Sequence, residues 1–424
     1  MYDVLRERLP GGLSVLVLSR EGLNSLDVCL TLSAGPRFET AETSGLSHLV
    51  EHMVFRGTEQ YPDSHAFHWA LESLGGTLQG STGRDLSLFG LTVSPRDLDE
   101  SIELLAEATL RPTFADLDVE RSLVLEELLQ DRDEDDRELN LENLSRKLLW
   151  PNDPLGLPIM GRRSNVEGFD VEDIRRWHQH LMCQGNGLLT VAGPVDPGDA
   201  LDRVRRTFSS MTAGDALPRR RLRNRRPGPH VDHVDHDASQ VEVMLSFPAP
   251  GLLDPDPQGV ALLQIILADG VTSRLQWRVC EQKGLAYTIE AHYDALGDAG
   301  ALDIEAAVAP ARVVPLMREV IHTLLELKEM GPSADELERA RRRYRLALEF
   351  ALDSPTALAS YHIPALYGVD RTIEERLREL EAWTPARLRV LIRRLITRAG
   401  ATLVSVGPAE TLDLRKIRRL LRQI

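Results

Sequence analysis

The stretches LLTVAGPVD (188–196) and TLVSVGPAE (402–410) repeat one pattern, an apolar run of strand length that ends in Gly-Pro and an acidic step. Each reads as a buried strand running into a turn. Gly193 and Gly407 stand roughly half the chain apart, so the pattern predicts that one unit of about 200 residues is present twice. Outward from these strands, GLSVLVLS (12–19), SLDVCLTLSAG (25–35) and, in the second half, VEVMLSFPAP (241–250) read as further strands. DLDESIELLAEATL (97–110) and PARVVPLMREVIHTLLELKEMG (310–331) instead space their apolar residues as helices with one polar face. The expected fold is therefore α+β: two duplicated sandwich domains, each a mostly antiparallel sheet covered by helices. Between them, AGDALPRRRLRNRRPGP (213–229) holds six arginines from Arg219 to Arg226, bracketed by Gly and Pro, with almost nothing to bury. It reads as a solvated linker, which divides the chain into domains 1–212 and 230–424.

The chain has 424 residues with a formal net charge of −15. That balance repels nucleic-acid phosphates and anionic membrane surfaces, so neither is an expected partner. Cys29, Cys183 and Cys280 are too few and too scattered for a disulfide framework or a thiolate cluster. No basic region followed by an unbroken apolar stretch opens the sequence, and no apolar run of about 18 residues follows, so a cytoplasmic location is the default expectation.

The chemistry is concentrated in SGLSHLVEHMVFRGT (44–58). Ser44 is placed to cap a helix whose Leu46, Leu49, Val50, Met53 and Val54 form one apolar stripe. At about 100° per residue, His48 and His52 share another face, with Glu51 one step round. Two imidazoles at i and i+4 are what a tetrahedral metal takes from one helix, and the carboxylate beside them can accept a proton from the attacking water. In a chain of this composition a His-x-x-Glu-His string arises by chance about 0.03 times, so coincidence is disfavoured. Two histidines do not complete a catalytic zinc site, and DVERSLVLEELLQD (118–131) offers Glu120, Glu126 and Glu127 for a third ligand. Glu120 and Glu127 lie on nearly one face, with Glu126 about 100° away; spacing alone does not choose among them. His230, His233 and His236 do not form a second metal cluster in this reading, because in a strand His233 faces away from the other two.

HLVEHMVFRGT (48–58), ERSLVLEELLQ (120–130) and LESLGGTLQGSTGRDLSLFGLTV (71–93) together resemble the pitrilysin-type peptidases, the inverzincins, whose zinc motif is His-x-x-Glu-His. NDPLGLPIMG (152–161), SRLQWRVCEQKGLAY (273–287) and PSADELERARRRY (332–344) extend the likeness over both halves. The resemblance implies one Zn2+ per chain held by His48, His52 and Glu127, with Glu51 as general base and Glu120 as an auxiliary carboxylate. It also implies a peptide or unfolded polypeptide substrate, held as an added strand along the edge 78–88, with Gln79, Gly80, Ser81 and Thr82 in contact. Where the family carries Asn-Ala, this chain has Gln79-Gly80. With two domains rather than four, the chain is similar to bacterial relatives of mitochondrial processing peptidase subunits, in which each chain forms half of a clamshell.

Relatives that complete the site from their second half carry an Arg seven residues before the Tyr that corresponds to Tyr287. Here that position is Cys280, and a neutral thiol supplies neither the charge nor the forked donors of a guanidinium. The expectation is a heterodimer in which a second pitrilysin-like chain supplies the Arg/Tyr pair, with a homodimer tolerating Cys280 as the simpler case. Two other functions fit the resemblance: a dedicated leader-peptide protease for a ribosomal peptide natural product, and a non-catalytic scaffold or binding subunit.

Overall fold

The computed structural model describes residues 2–219, 222, 227–410 and 412–424. Strands β1 (Asp3–Arg8), β2 (Ser14–Ser19), β3 (Leu26–Leu32), β4 (Leu78–Thr82), β5 (Ser87–Val93) and β6 (Gly187–Gly193) form one sheet in the order β1-β2-β6-β3-β5-β4. A second sheet joins β7 (His230–Asp235), β8 (Val241–Ala249), β9 (Glu290–Ala295), β10 (Gly300–Val308) and β11 (Thr402–Gly407) in the order β7-β11-β8-β10-β9. In each sheet one pair is parallel, β2 with β6 and β7 with β11, and the remaining pairs are antiparallel.

The two repeated strands, β6 and β11, occupy the same place in their sheets. Gly193 pairs with Ser19 across the parallel ladder and Gly407 pairs with Asp235 in the same way. Both glycines have positive φ, 153° and 140°. An added Cβ would lie 3.1 Å from the Cα of Leu26, where β3 begins, or 2.8 Å from that of Val241, where β8 begins. Only glycine closes the strand there without displacing the next one. The duplication is thus visible at the level of single backbone contacts.

The chain forms two compact units, but neither is a contiguous half. One comprises Met1–Gln130, Leu157–Arg221 and Glu349–Asp370; the other comprises Asp131–Gly156, Leu222–Leu348 and Arg371–Ile424. Compared with the expected 1–212 and 230–424, a segment of each half is exchanged. The physical reason lies in the sheets. Every residue of β3 and of β6 is buried, so both faces of these strands require cover. One face packs on α2 (Ser64–Ser73) and α3 (Leu98–Leu110), which follow α1 (Leu46–Met53) in the chain, and on the helix Pro197–Phe208. The exchanged helix Pro355–Tyr361 covers the other, its Thr356 hydroxyl donating to buried Asp27 at 3.0 Å. In the second unit, α5 (Leu141–Leu149), which follows α4 (Leu117–Gln130), plays the same part. Its Leu141 and Leu144 pack on Met244, Val404 and Val406. Buried Arg146 donates two hydrogen bonds to Asp303, at 2.9 and 2.7 Å.

Of the expected linker 213–229, residues 220, 221 and 223–226 lie outside the described residues. Within the described residues, no helix is long and apolar enough to cross a membrane.

Candidate metal centre

Helix α1 carries the centre, and its entry differs from the expectation. Gly45, with φ 100°, is the N-cap and makes no side-chain cap bond. Ser44 Oγ is buried with no hydrogen-bond partner among the described residues. The carboxylate of Glu39 caps instead: Gly45 N–H donates to Oε2 at 2.9 Å and Ser47 N–H to Oε1 at 2.8 Å. Glu39 stands six residues upstream, beyond the reach of the usual capping pattern, and its enclosure pushes its carboxyl up to about 7 against those two bonds. The N-terminal turn is further held by Trp177, whose indole N–H donates to Ser47 Oγ at 3.0 Å. All five residues of the apolar stripe are buried, which fixes the rotation of the helix and therefore the face that carries the histidines.

On that face the rings of His48 and His52 stand 4.6 Å apart. Glu127 reaches them from α4: its Oε2 lies 3.7 Å from His48 Nε2 and 3.5 Å from His52 Nε2. Ligand atoms about 2.1 Å from one tetrahedral zinc lie about 3.4 Å from each other, so Glu127 stands near zinc-ligand spacing from both histidines, and the three donor atoms lie within 4.8 Å of one another. Among the described residues these three form the single group of His, Cys, Asp and Glu so converged. The electrostatics agree. Burial, reinforced by His52, pushes His48 down to about 3, leaving a neutral ring with a lone pair to donate. The His48–Glu127 approach is thus one of two donors rather than an ion pair. For His52, burial is outweighed by the hydrogen bond to Glu120 and the charges of Glu51, Glu120 and Glu127, which raise it.

The three glutamates of α4 separate by role. Glu126 is exposed. Glu120, nearly buried, sets its Oε1 2.7 Å from His52 Nδ1 and its Oε2 3.3 Å from Arg56 Nε. A carboxylate on the second nitrogen of a ligand histidine fixes the ring's tautomer and aim. Glu51 is buried beside the group, and burial, opposed by His52 and by Thr82, raises its carboxyl. Thr82 Oγ1 donates to Glu51 Oε2 at 2.9 Å. That contact was not anticipated; the signal for it is the alternation of β4, which puts Gly80 and Thr82 on one face and Gln79 and Ser81, both exposed, on the other.

The edge expected over 78–88 is shorter. β4 is an edge strand, but it ends at Thr82, and residues from Ser87 onward belong to β5, which has neighbours on both sides. The Gly83–Leu86 turn intervenes, with Gly83 N–H donating to Leu86 O at 2.8 Å. Tyr287 and Cys280 lie in the second unit. Tyr287 is 99% exposed on a loop, and Cys280 sits in the π-helical turn Gln276–Gln282, partly buried against the apolar core. Arg278 is committed elsewhere, to Thr323 at 2.9 Å and Glu326 at 2.8 Å. His233 is partly buried, as His230 and His236 are, and its Nδ1 lies 3.0 Å from Ser405 Oγ.

Two family models match the chain: Insulinase (Peptidase family M16) over residues 15–163 and Peptidase M16 inactive domain over residues 168–344. An uncharacterized zinc protease of Mycobacterium tuberculosis is 29% identical over 412 residues, 95% of this chain and 93% of that protein. YmxG of Bacillus subtilis, also termed an uncharacterized zinc protease, is 24% identical over 93% of this chain and 96% of its own length. In fold, a protease from Helicobacter pylori superposes with a TM-score of 0.90 at 21% identity, covering 96% of this chain and all of that one. The first half of the periplasmic protease PqqL from Escherichia coli gives 0.76 at 18% identity, covering 99% and 96%. The two family models, lying end to end over about three quarters of the sequence, show that the chain belongs to peptidase family M16.

Proposed function

We propose that this protein is a zinc-dependent endopeptidase acting on peptides or unfolded segments, and that it is the zinc-bearing chain of a heterodimer. The observation that carries the reading is the convergence of His48, His52 and Glu127 donor atoms to zinc spacing, with buried Glu51 beside them. A scaffold requires none of this.

Bound by those three residues, zinc supplies a Lewis acid that acidifies water and polarises a carbonyl. Glu51 takes the proton of the attacking water and returns one to the leaving amine; its raised affinity for a proton brings it closer to the range in which a carboxylate does both. Glu120 holds His52 in the tautomer that leaves Nε2 free to donate. The open edge of β4 offers unpaired backbone groups to a substrate strand, with exposed Gln79 and Ser81 facing away from Glu51. The heterodimer reading rests on Cys280, and Arg278, held by Glu326, is not available in its place.

The test is peptide cleavage by the zinc-loaded chain, alone and mixed with a homologue lacking the zinc motif. The reading expects Glu51→Gln to retain zinc and lose about a thousandfold in kcat, and the mixture to exceed the chain alone. Equal activity with and without the second chain removes the heterodimer, and undiminished activity of the variant removes the enzyme.

A further inference from the structure

We infer that strand β4 positions the general base, with Thr82 as the positioning residue for Glu51. The inference rests on the peptidase reading above. Thr82 Oγ1 lies 2.9 Å from Glu51 Oε2 and 3.0 Å from Ser87 Oγ, its cross-strand partner on β5. A hydroxyl has one proton to give. Given to the carboxylate, it leaves the Thr82 oxygen to accept from Ser87, which is buried and so holds a fixed position. Ser87, Thr82 and Glu51 thus form a directed chain that begins in the sheet and ends on the base.

The strand also bounds the carboxylate sterically. A Cβ added at Gly80 would lie 2.6 Å from Glu51 Oε1 and 2.8 Å from its Cγ, so the backbone of β4 runs hard against this side chain. One oxygen is therefore tied to Thr82, and the space in which the side chain could swing is closed by Gly80. Because β4 is paired on one side only, whatever adds to its free edge stiffens the strand that aims the base. Thr82 then contributes to the rate of the chemical step rather than to the affinity for substrate, although it stands on the strand expected to hold substrate.

The experiment compares Thr82→Val, which keeps the shape and loses the hydroxyl, with Thr82→Ser, which keeps the hydroxyl. Both are loaded with zinc and joined to the partner chain if cleavage needs it. The expected result is a loss of about tenfold in kcat for Thr82→Val at unchanged KM and zinc content, restored by Thr82→Ser. A readout independent of turnover accompanies it: the dissociation constant of the same uncleaved peptide for Glu51→Gln and for Glu51→Gln/Thr82→Val, expected to be equal. Wild-type kcat in Thr82→Val, a loss carried by KM or by the dissociation constant, or no rescue by Thr82→Ser would overturn the inference while leaving the peptidase intact. A wild-type protein that cleaves nothing in either assembly overturns the reading beneath it instead.

Discussion

One of the candidate metal ligands, His52, is held by a neighbour that comes from elsewhere in the chain. His52 is aimed by Glu120, 68 residues on, through a 2.7 Å hydrogen bond. Replacing Glu120 by Gln should therefore weaken zinc binding by about 10- to 100-fold while leaving the fold intact, read by competition with a chromogenic chelator. A different histidine contributes to acid stability. His178 is buried, its Nε2 2.8 Å from the Thr109 carbonyl, and burial pushes it from 6.5 down to about 4 despite that bond. Its folded form binds a proton less readily than its unfolded form, so the stability it contributes is complete above 6.5 and is lost as pH falls towards 4. The expected size is about 3 kcal/mol across that window, and denaturant titrations of the wild type and His178→Asn should diverge in slope there. At this scale the histidines and Glu51 were legible because one helix carries them at fixed spacing. The choice of Glu127 came from family resemblance, since helical spacing gives Glu120 the same face.

Among elements, α1 shows where local reading fails. Its apolar stripe and polar face follow from period alone, but its cap does not. Ser44 satisfies the sequence pattern, while the buried carboxylate of Glu39 performs the task because the turn Pro36–Phe38 folds it back beneath Gly45 and Ser47. Glu39→Ala should cost about 1–2 kcal/mol by thermal or chemical unfolding and lower zinc affinity with it, whereas Ser44→Ala should cost little in either. The Thr82–Glu51 bond belongs to the same category. It joins an edge strand to a helix 31 residues earlier, and a strand's alternation tells which residues share a face but not what that face meets.

For the whole molecule, the duplication was readable from two Gly-Pro strands, and the five strands of the second sheet match five of the six in the first, β1 alone having no counterpart. The exchange of segments between halves was not readable, because a helix that covers the far face of another sheet has the same amphipathic pattern as one that covers its own. It has a direct consequence. A fragment 1–212 lacks Thr356, one of two hydroxyls that donate to buried Asp27, and Tyr367, which donates to Asp85 at 2.8 Å. Such a fragment should show no cooperative unfolding transition by itself, and should regain one when co-expressed with 213–424. In the second unit, Arg146→Ala leaves Asp303 buried without its guanidinium partner, and should destabilise the protein by about 3–5 kcal/mol. The central claim, that these parts assemble a zinc peptidase, is tested most directly by mass-spectrometric cleavage of a mixed peptide library. The zinc-loaded chain would be assayed with its partner where one is needed, and with Glu51→Gln as control. The account predicts peptide-bond cleavage in the wild type that disappears in the variant while zinc stays bound. Cleavage that persists in the variant, or its absence in every assembly of the zinc-loaded wild type, would contradict it.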